Sequence, residues 1–292
     1  MTPLERSQLA GGVWLKREDE HELGAFKWRG TAAVLAALRP DVVVTASTGN
    51  HGAATAWAAR RQGARAIVFA PERASAAKLA LIEAQGAELR RVGADMDEAK
   101  EAARRHATAA GWFFFEDGAE PAQFDGYAAI GDELLDELGE EPGTVVVPVG
   151  NGALAIGVFR AVARRAPGAR RVAVAAAKAP AMWESWRAGG AVDTDSAETF
   201  ADGLAVRVAI PSAVALLNPL VQRFLLVTER ELALAIGAYA AVGLRVEGAA
   251  AAPLAVALRE GLPQPVVLIV TGRNVDGELW RRAVESPDSF VT

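Results

Sequence analysis

The chain has 292 residues, 51% of them hydrophobic, and a formal net charge of −5. That length supports one large domain or two medium ones with a full core, and the acidic balance argues against a general binder of nucleic acid or membrane surfaces, which needs a basic excess. Cysteine is absent, so disulfides, thiol catalysis and thiolate metal sites are excluded, and with three histidines, His21, His51 and His106, a histidine-built zinc site is disfavoured.

Residues 1–10 lack the basic-then-apolar form of a secretory signal, and no apolar run reaches the length of a membrane span, so a cytoplasmic protein is expected. Trp14-Leu15-Lys16-Arg17 reads as a short apolar strand ending in charges. Next comes Gly24-Ala25-Phe26-Lys27-Trp28-Arg29-Gly30, a lysine between two aromatics and bracketed by glycines, ahead of a predicted helix over 31–39. Apolar neighbours desolvate an ammonium and make a neutral, nucleophilic amine more accessible, of the kind that forms a Schiff base with an aldehyde cofactor. The plain alternative is a surface lysine at the start of a helix.

Val42-Val43-Val44-Thr45 is a β-branched run suited to a strand buried on both faces. It runs through Ala46-Ser47-Thr48-Gly49-Asn50-His51-Gly52 into an alanine-rich helix over 53–62. Strands are predicted at 66–69, 89–92 and 112–115, with helices at 74–85, closed by Gly86 as a C-cap, and at 96–109. A helix over 126–138 leads to a strand at 144–148, which meets Val149-Gly150-Asn151-Gly152-Ala153-Leu154 and another helix. A strand at 171–176, a helix at 180–188, a turn at 199–203 and a strand at 224–227 follow, the last leading into a helix through Thr228 and Glu231, a capping-box spacing. A helix over 249–258 and a strand over 266–270 close the pattern. This alternation predicts an α/β fold with parallel sheets.

Three loops leave the carboxyl ends of buried strands, where ligands bind in open α/β sheets. Ser47-Thr48-Gly49-Asn50-His51 offers hydroxyls, an amide side chain and turn amides that suit a carboxylate and a phenolic oxygen; an ordinary helix cap is the alternative. Gly150-Asn151-Gly152-Ala153 is small enough for its amides to reach an anion at a helix N-terminus. A tight strand–helix turn explains those glycines equally well. The loop fits neither the Walker pattern nor G-x-G-x-x-G, which disfavours a dinucleotide dehydrogenase. The third loop places a hydroxyl, Thr271, at a strand end, suited to bond a ring nitrogen or simply to make a turn.

Together these segments resemble the fold-type II pyridoxal-phosphate enzymes, most closely the serine/threonine dehydratase group, over nearly the whole chain. The resemblance implies two open parallel-sheet α/β domains, residues 41–124 and residues 1–40 plus 125–292, with pyridoxal 5′-phosphate in the cleft between them. Its S-F-K-x-R-G segment falls on Phe26 and Lys27, making Lys27 the Schiff-base lysine and the catalytic base. The asparagine of its S-x-G-N-H segment, here Asn50, contacts the cofactor's 3-oxygen, while Ser47, Thr48, Gly49 and His51 lie nearest the substrate. Gly150, Asn151, Gly152, Ala153 and Leu154 correspond to the phosphate loop, Thr271 to the ring-nitrogen partner and Glu247 to the acid of the E-G-A segment beneath the ring. Residues 199–206 match its T-x-A-D-G segment.

The implied activity is α,β-elimination of a β-hydroxy amino acid, threonine or serine, to a 2-keto acid and ammonia. A hydroxyl at the ring nitrogen does not enforce a charged pyridinium, which favours expelling a β-substituent over a long-lived carbanion. The alternatives are a threonine-synthase-type β- or γ-replacement enzyme, a lyase for another β-substituted amino acid such as diaminopropionate or hydroxyaspartate, a racemase, and a cofactor-binding protein without turnover. For the racemase, Thr48 stands where that relative has a serine. Further departures are Ala25 for the usual serine, Asn151 and Ala153 within the glycine run, and Gly126-Tyr127-Ala128-Ala129 for G-Q-G-T. Ala175 stands where some relatives need a glutamate for a divalent cation, so no metal is expected. Neither the leading helix common before the position of Thr2-Pro3-Leu4 nor a regulatory domain after Thr292 is expected. The family implies a homodimer with a small amino acid as its partner, and neither nucleic acid nor membrane.

Overall fold

In the computed structural model, which describes residues 1–290, the chain forms two units. One joins Met1–Phe26 to the stretch from Tyr127 onward, and the other is Lys27–Gly126. In chain order, β1 (Leu4–Ser7) and β2 (Val13–Arg17) precede α1 (Trp28–Leu38), β3 (Val42–Ala46), α2 (Asn50–Gln62) and β4 (Arg65–Ala70). Next are α3 (Ala76–Glu83), β5 (Glu88–Arg91), α4 (Met96–Ala110), β6 (Phe113–Phe114) and α5 (Pro121–Leu138). Then follow β7 (Thr144–Pro148), α6 (Ala153–Arg165), β8 (Arg170–Ala176), α7 (Ala181–Ala188) and α8 (Pro211–Leu217). The chain closes with β9 (Arg223–Val227), α9 (Glu229–Ala241), α10 (Gly248–Arg259), β10 (Val266–Val270) and α11 (Gly277–Glu285).

The discontinuous unit holds a six-stranded sheet in the order β1-β2-β10-β7-β8-β9. Its pairings are parallel except for β1, an antiparallel edge strand laid on β2. Strands β7 and β10 are buried along their whole length, as their unbroken apolar runs require when helices cover both faces. Being parallel neighbours, they bring their carboxyl ends, and so Gly150 and Thr271, to the same edge of the sheet. Helices α9 and α10 pack Leu232, Ile236, Ala250 and Leu254 against Val266, Leu268 and Val270 in one core. The alanines of α10 let that helix approach closely. Thr228 and Glu231 form the predicted capping box, each accepting from the other's backbone N–H.

The continuous unit holds a four-stranded, all-parallel sheet in the order β5-β4-β3-β6. Val43, Val44, Ile67 and Val68 fill its centre.

Several details depart from the sequence reading. Strands β1 and helices α8 and α11 were not anticipated, and the strand expected over 112–115 shortens to Phe113–Phe114. Helix α1 falls with Lys27–Gly126 rather than with the larger unit. Its Trp28 ring meets Trp57 of α2 edge-on at 6.0 Å, and Gly126 lies so close to the Arg29 carbonyl that a Cβ there would come within 2.5 Å of it. The charged end of β2 is not a solvent end. Lys16 is fully buried, its Nζ lying 2.6 Å from Glu137 and 3.0 Å from Glu133 and also donating to the Thr2 carbonyl. Arg17 grips Asp19 through two bonds of 2.9 and 2.7 Å. Buried cations persist when paired in this way. Among the described residues no helix is long and apolar enough to cross a membrane.

Candidate active site

The sequence-predicted residues fall into two groups, one in each unit. In Lys27–Gly126, Lys27 stands at the entry to α1 with its Nζ 2.6 Å from Oδ2 of Asp117, in the turn after β6. Besides its aromatic neighbours in sequence, this amine has a carboxylate beside it. The Phe26 ring packs on Tyr127 at 5.1 Å and the Trp28 ring on Trp57, and Asp117 pairs with the ammonium. Asp117 Oδ1 accepts from Gln123 Nε2 at 2.6 Å. The Gln123 oxygen is itself held by the Gly118 N–H at 2.7 Å, which fixes which end of the amide faces Asp117.

His51, in the first turn of α2, is buried with its ring edge-on to Phe115 at 4.7 Å. Its Nε2 lies 3.0 Å from Oγ1 of Thr45, which gives its hydrogen to the Phe115 carbonyl at 2.7 Å. A hydroxyl that has donated its one proton must accept, so the imidazole carries a proton on Nε2. Nδ1 then faces Asp117 Oδ1 at 3.6 Å, too far for a hydrogen bond, and has no hydrogen-bond partner. Burial pushes the His51 imidazole below its ordinary range, and the Lys27 charge adds to that against the opposing pull of Asp117. For Asp117 burial acts upward, but the charges of Lys27 and His51 and the bonds from Lys27 and Gln123 outweigh it and hold the carboxyl far below the usual carboxylate range.

The 47–51 loop is not the ordinary side-chain helix cap. Ser47 Oγ turns back to accept from the Gly49 N–H at 3.1 Å. Helix α2 starts after Gly49 with no side chain capping it, and its first intrahelical bond is from the Ala53 N–H to the Gly49 carbonyl at 3.1 Å. The amides of Asn50, His51 and Gly52 therefore precede the helical ladder, with Thr48 and Asn50 half-buried beside them.

In the other unit, β7 runs into Gly150 and Asn151, and Gly152, at φ 93°, opens α6. Asn151 Oδ1 accepts from the Ala153 N–H at 3.1 Å, while the ladder begins only with Ile156 N–H to Gly152 C=O at 2.9 Å. The amides of Leu154 and Ala155 thus lie ahead of it. Gly150 is packed backbone on backbone: a Cβ there would lie 2.4 Å from the carbonyl oxygen of Gly203, in the 199–203 turn. Behind this loop, Thr271 is buried at the end of β10 with Oγ1 3.4 Å from Glu247 Oε1. The Glu247 N–H bonds the Gly272 carbonyl at 3.0 Å, and a Cβ on Gly272 would come within 2.8 Å of the Glu247 carboxyl group. Phe26 donates its N–H to the Thr271 carbonyl at 3.0 Å, and Ala25, buried, forms an antiparallel bridge with Gly272. Phe26, Gly150, Gly203, Glu247 and Thr271 are thereby joined in one cluster, and the next residue in the chain is Lys27.

Taken unit by unit, each group suits a different part of a phosphorylated aromatic aldehyde. An amide-lined turn that a side chain would fill suits the phosphate, a buried hydroxyl suits a ring nitrogen, and a half-enclosed primary amine suits the aldehyde. Sequence reasoning missed Asp117, Gln123 and Thr45. Asp117 could have been found by applying the strand-end rule to the fourth strand of the smaller sheet, but Asp-Gly also reads as an ordinary turn.

A family model described as pyridoxal-phosphate dependent enzyme matches residues 1–272. The chain is 33% identical to the L-threonine ammonia-lyase of Geobacter sulfurreducens over 272 residues, 90% of this chain and 67% of that enzyme. It is 31% identical over 216 residues to a biosynthetic L-threonine dehydratase of Pasteurella multocida, covering 71% of this chain but only 42% of that longer protein. The structure of the processed form of threonine deaminase isoform 2 from Solanum lycopersicum superposes with a TM-score of 0.92 at 27% identity, covering 97% of this chain and 87% of that one.

Proposed function

The chain belongs to the family of pyridoxal-phosphate dependent enzymes, and from that premise we propose that it is an ammonia-lyase converting threonine or serine to a 2-keto acid and ammonia. The observation that carries this reading is the hydroxyl of Thr271, buried at the end of β10 where a carboxylate would enforce a pyridinium. Its 3.4 Å contact with Glu247 is long, so its proton is free to turn toward a ring nitrogen. The identity with the Geobacter threonine ammonia-lyase supports the same substrate class.

When bound, pyridoxal phosphate supplies an electron sink for the substrate's α-carbon. In this reading the chain's own residues do the rest. The amides of the 150–154 loop bind phosphate, Asn50 orients the 3-oxygen, and Glu247 steadies Thr271. Ser47, Thr48 and Gly49 bind the substrate carboxylate with His51 behind them. Lys27 holds the cofactor's aldehyde and, once free, moves the α-proton on its Nζ. Threonine given to the purified protein with no second nucleophile is expected to yield ammonia and 2-oxobutyrate in equal amounts. Product formed only with an added nucleophile, or an inverted amino acid without ammonia, would overturn the assignment. The reading also makes the protein a cytoplasmic homodimer, for which cell fractionation and a light-scattering mass twice that of the chain are expected.

A further inference from the structure

We propose that Asp117 and His51 form a proton reservoir for Lys27: when the Lys27 ammonium gives up a proton, that proton is held on Nδ1 of His51 as the imidazolium partner of Asp117, and it returns when the amine is protonated again. The role given to the reservoir rests on the reading of Lys27 as the cofactor-holding amine. Its protonation chemistry does not.

The geometry offers a place for the proton. His51 Nε2 already carries a hydrogen, fixed by Thr45, whose own hydrogen goes to the Phe115 carbonyl. Nδ1 is a buried lone pair with no hydrogen-bond partner, facing Asp117 Oδ1. Two lone pairs facing each other across 3.6 Å gain nothing. A proton on Nδ1 turns the contact into a charge-assisted pair, and a movement of under ~1 Å brings it to the bonding range of such pairs. Asp117 is not itself the resting place. Gln123 is oriented by Gly118 so that its NH₂ donates to Asp117, which favours the ionised, accepting carboxylate.

The transfer balances. An N–H bond breaks at Lys27 Nζ and an O–H bond forms at Asp117 Oδ2; the carboxyl group then turns so that this same oxygen faces His51, its O–H bond breaks and an N–H bond forms at Nδ1. One negative and one positive charge are present before and after. Without it, a neutral Lys27 would remove the cation that stands 2.6 Å from Asp117 Oδ2 in a partly buried site, a costly change for the carboxylate. Among the described residues the charged groups facing His51 are Asp117, from the turn after β6, and Lys27, from the start of α1. Strand β3 presents the neutral Thr45 and the β6 turn adds the Phe115 ring and carbonyl.

With three histidines in the chain, ¹⁵N imidazole spectra are simple to assign. In full-length Lys27→Met protein, His51 is expected to become doubly protonated, its apparent pKa rising by ~1 unit or more over cofactor-free wild type. Lys27→Arg, which keeps the cation, should leave His51 as in wild type, and Asp117→Asn in the Lys27→Met background should remove the rise. His21 and His106 signals report whether each variant is folded. If Lys27→Met does not fold, wild type with and without its cofactor makes the same comparison, with the higher His51 pKa expected when the cofactor occupies Lys27. An unchanged His51 pKa overturns the reservoir. An unmoved His51 in a Lys27→Met protein that has lost its cofactor absorbance sinks the reservoir and leaves the lyase reading standing. A shifted His51 in a protein that never binds pyridoxal phosphate does the reverse.

Discussion

Borohydride reduction of the purified yellow protein is expected to fix a pyridoxyl group on the peptide containing Lys27, and Lys27→Ala is expected to lose the visible absorbance and to lower turnover by ~10²–10⁴-fold or more through lost proton transfer alone. Lys27 differs from Lys16 in what surrounds it. Both lysines follow short apolar stretches near the start of the chain. The Lys16 side chain is fully buried, and Glu133, Glu137 and the Thr2 carbonyl occupy its donors, so it is a structural cation. The Lys27 side chain keeps 16% of its surface accessible and pairs with Asp117, so it can reach a ligand while its charge stays controlled. Label found on any other lysine, or an undiminished band in Lys27→Ala, would overturn the assignment of the amine.

Gly150→Ala is expected to destabilise the protein by ~1–3 kcal/mol, the usual cost of overpacking a tight contact, and to weaken cofactor retention about tenfold or more. The new methyl would meet the Gly203 carbonyl oxygen at 2.4 Å, and Gly203 cannot retreat freely, because its own Cα side faces Ala249. Either the 150–154 loop or the 199–203 turn must move. Gly237→Ala, within α9 and with nothing near its Cβ position, is the control and should stabilise slightly. Thermal melts and cofactor dissociation measured on both variants decide the matter: equal behaviour would mean that the close approach of Gly150 does not shape the loop.

Much of this was legible in the sequence because the sheets are buried on both faces. Runs such as Val42-Val43-Val44 and Val145-Val146-Val147 have no other comfortable place. Strand β1 was not legible, since Leu4-Glu5-Arg6-Ser7 has the polar content of an edge and is a strand only because β2 lies beside it. Helix α11 had a start signal in Asp276, which accepts from Glu278 and Leu279 N–H, yet its short length hid it. On the candidate site, motif order named Lys27, Asn50, the 150–154 loop and Thr271. It did not name Asp117, whose strand-end position is shared with an ordinary Asp-Gly turn, or Gln123, whose importance lies in which atoms it faces.

The strand order has a consequence for how the chain is made. All four strands of the smaller sheet have been synthesised once Phe114 is added. The larger sheet is different: β2 pairs on one side with β1 and on the other with β10, whose Val267 sits opposite Trp14. That partner is translated only after the whole of the smaller sheet. Throughout elongation the β1–β2 hairpin therefore keeps one edge of unpaired amides and carbonyls waiting for a strand some 250 residues downstream, the kind of delayed, long-range closure that slows folding and exposes nascent chains to mispairing. Within β2 itself, Lys16 and Arg17 are charges of the kind that discourage premature pairing at an open edge.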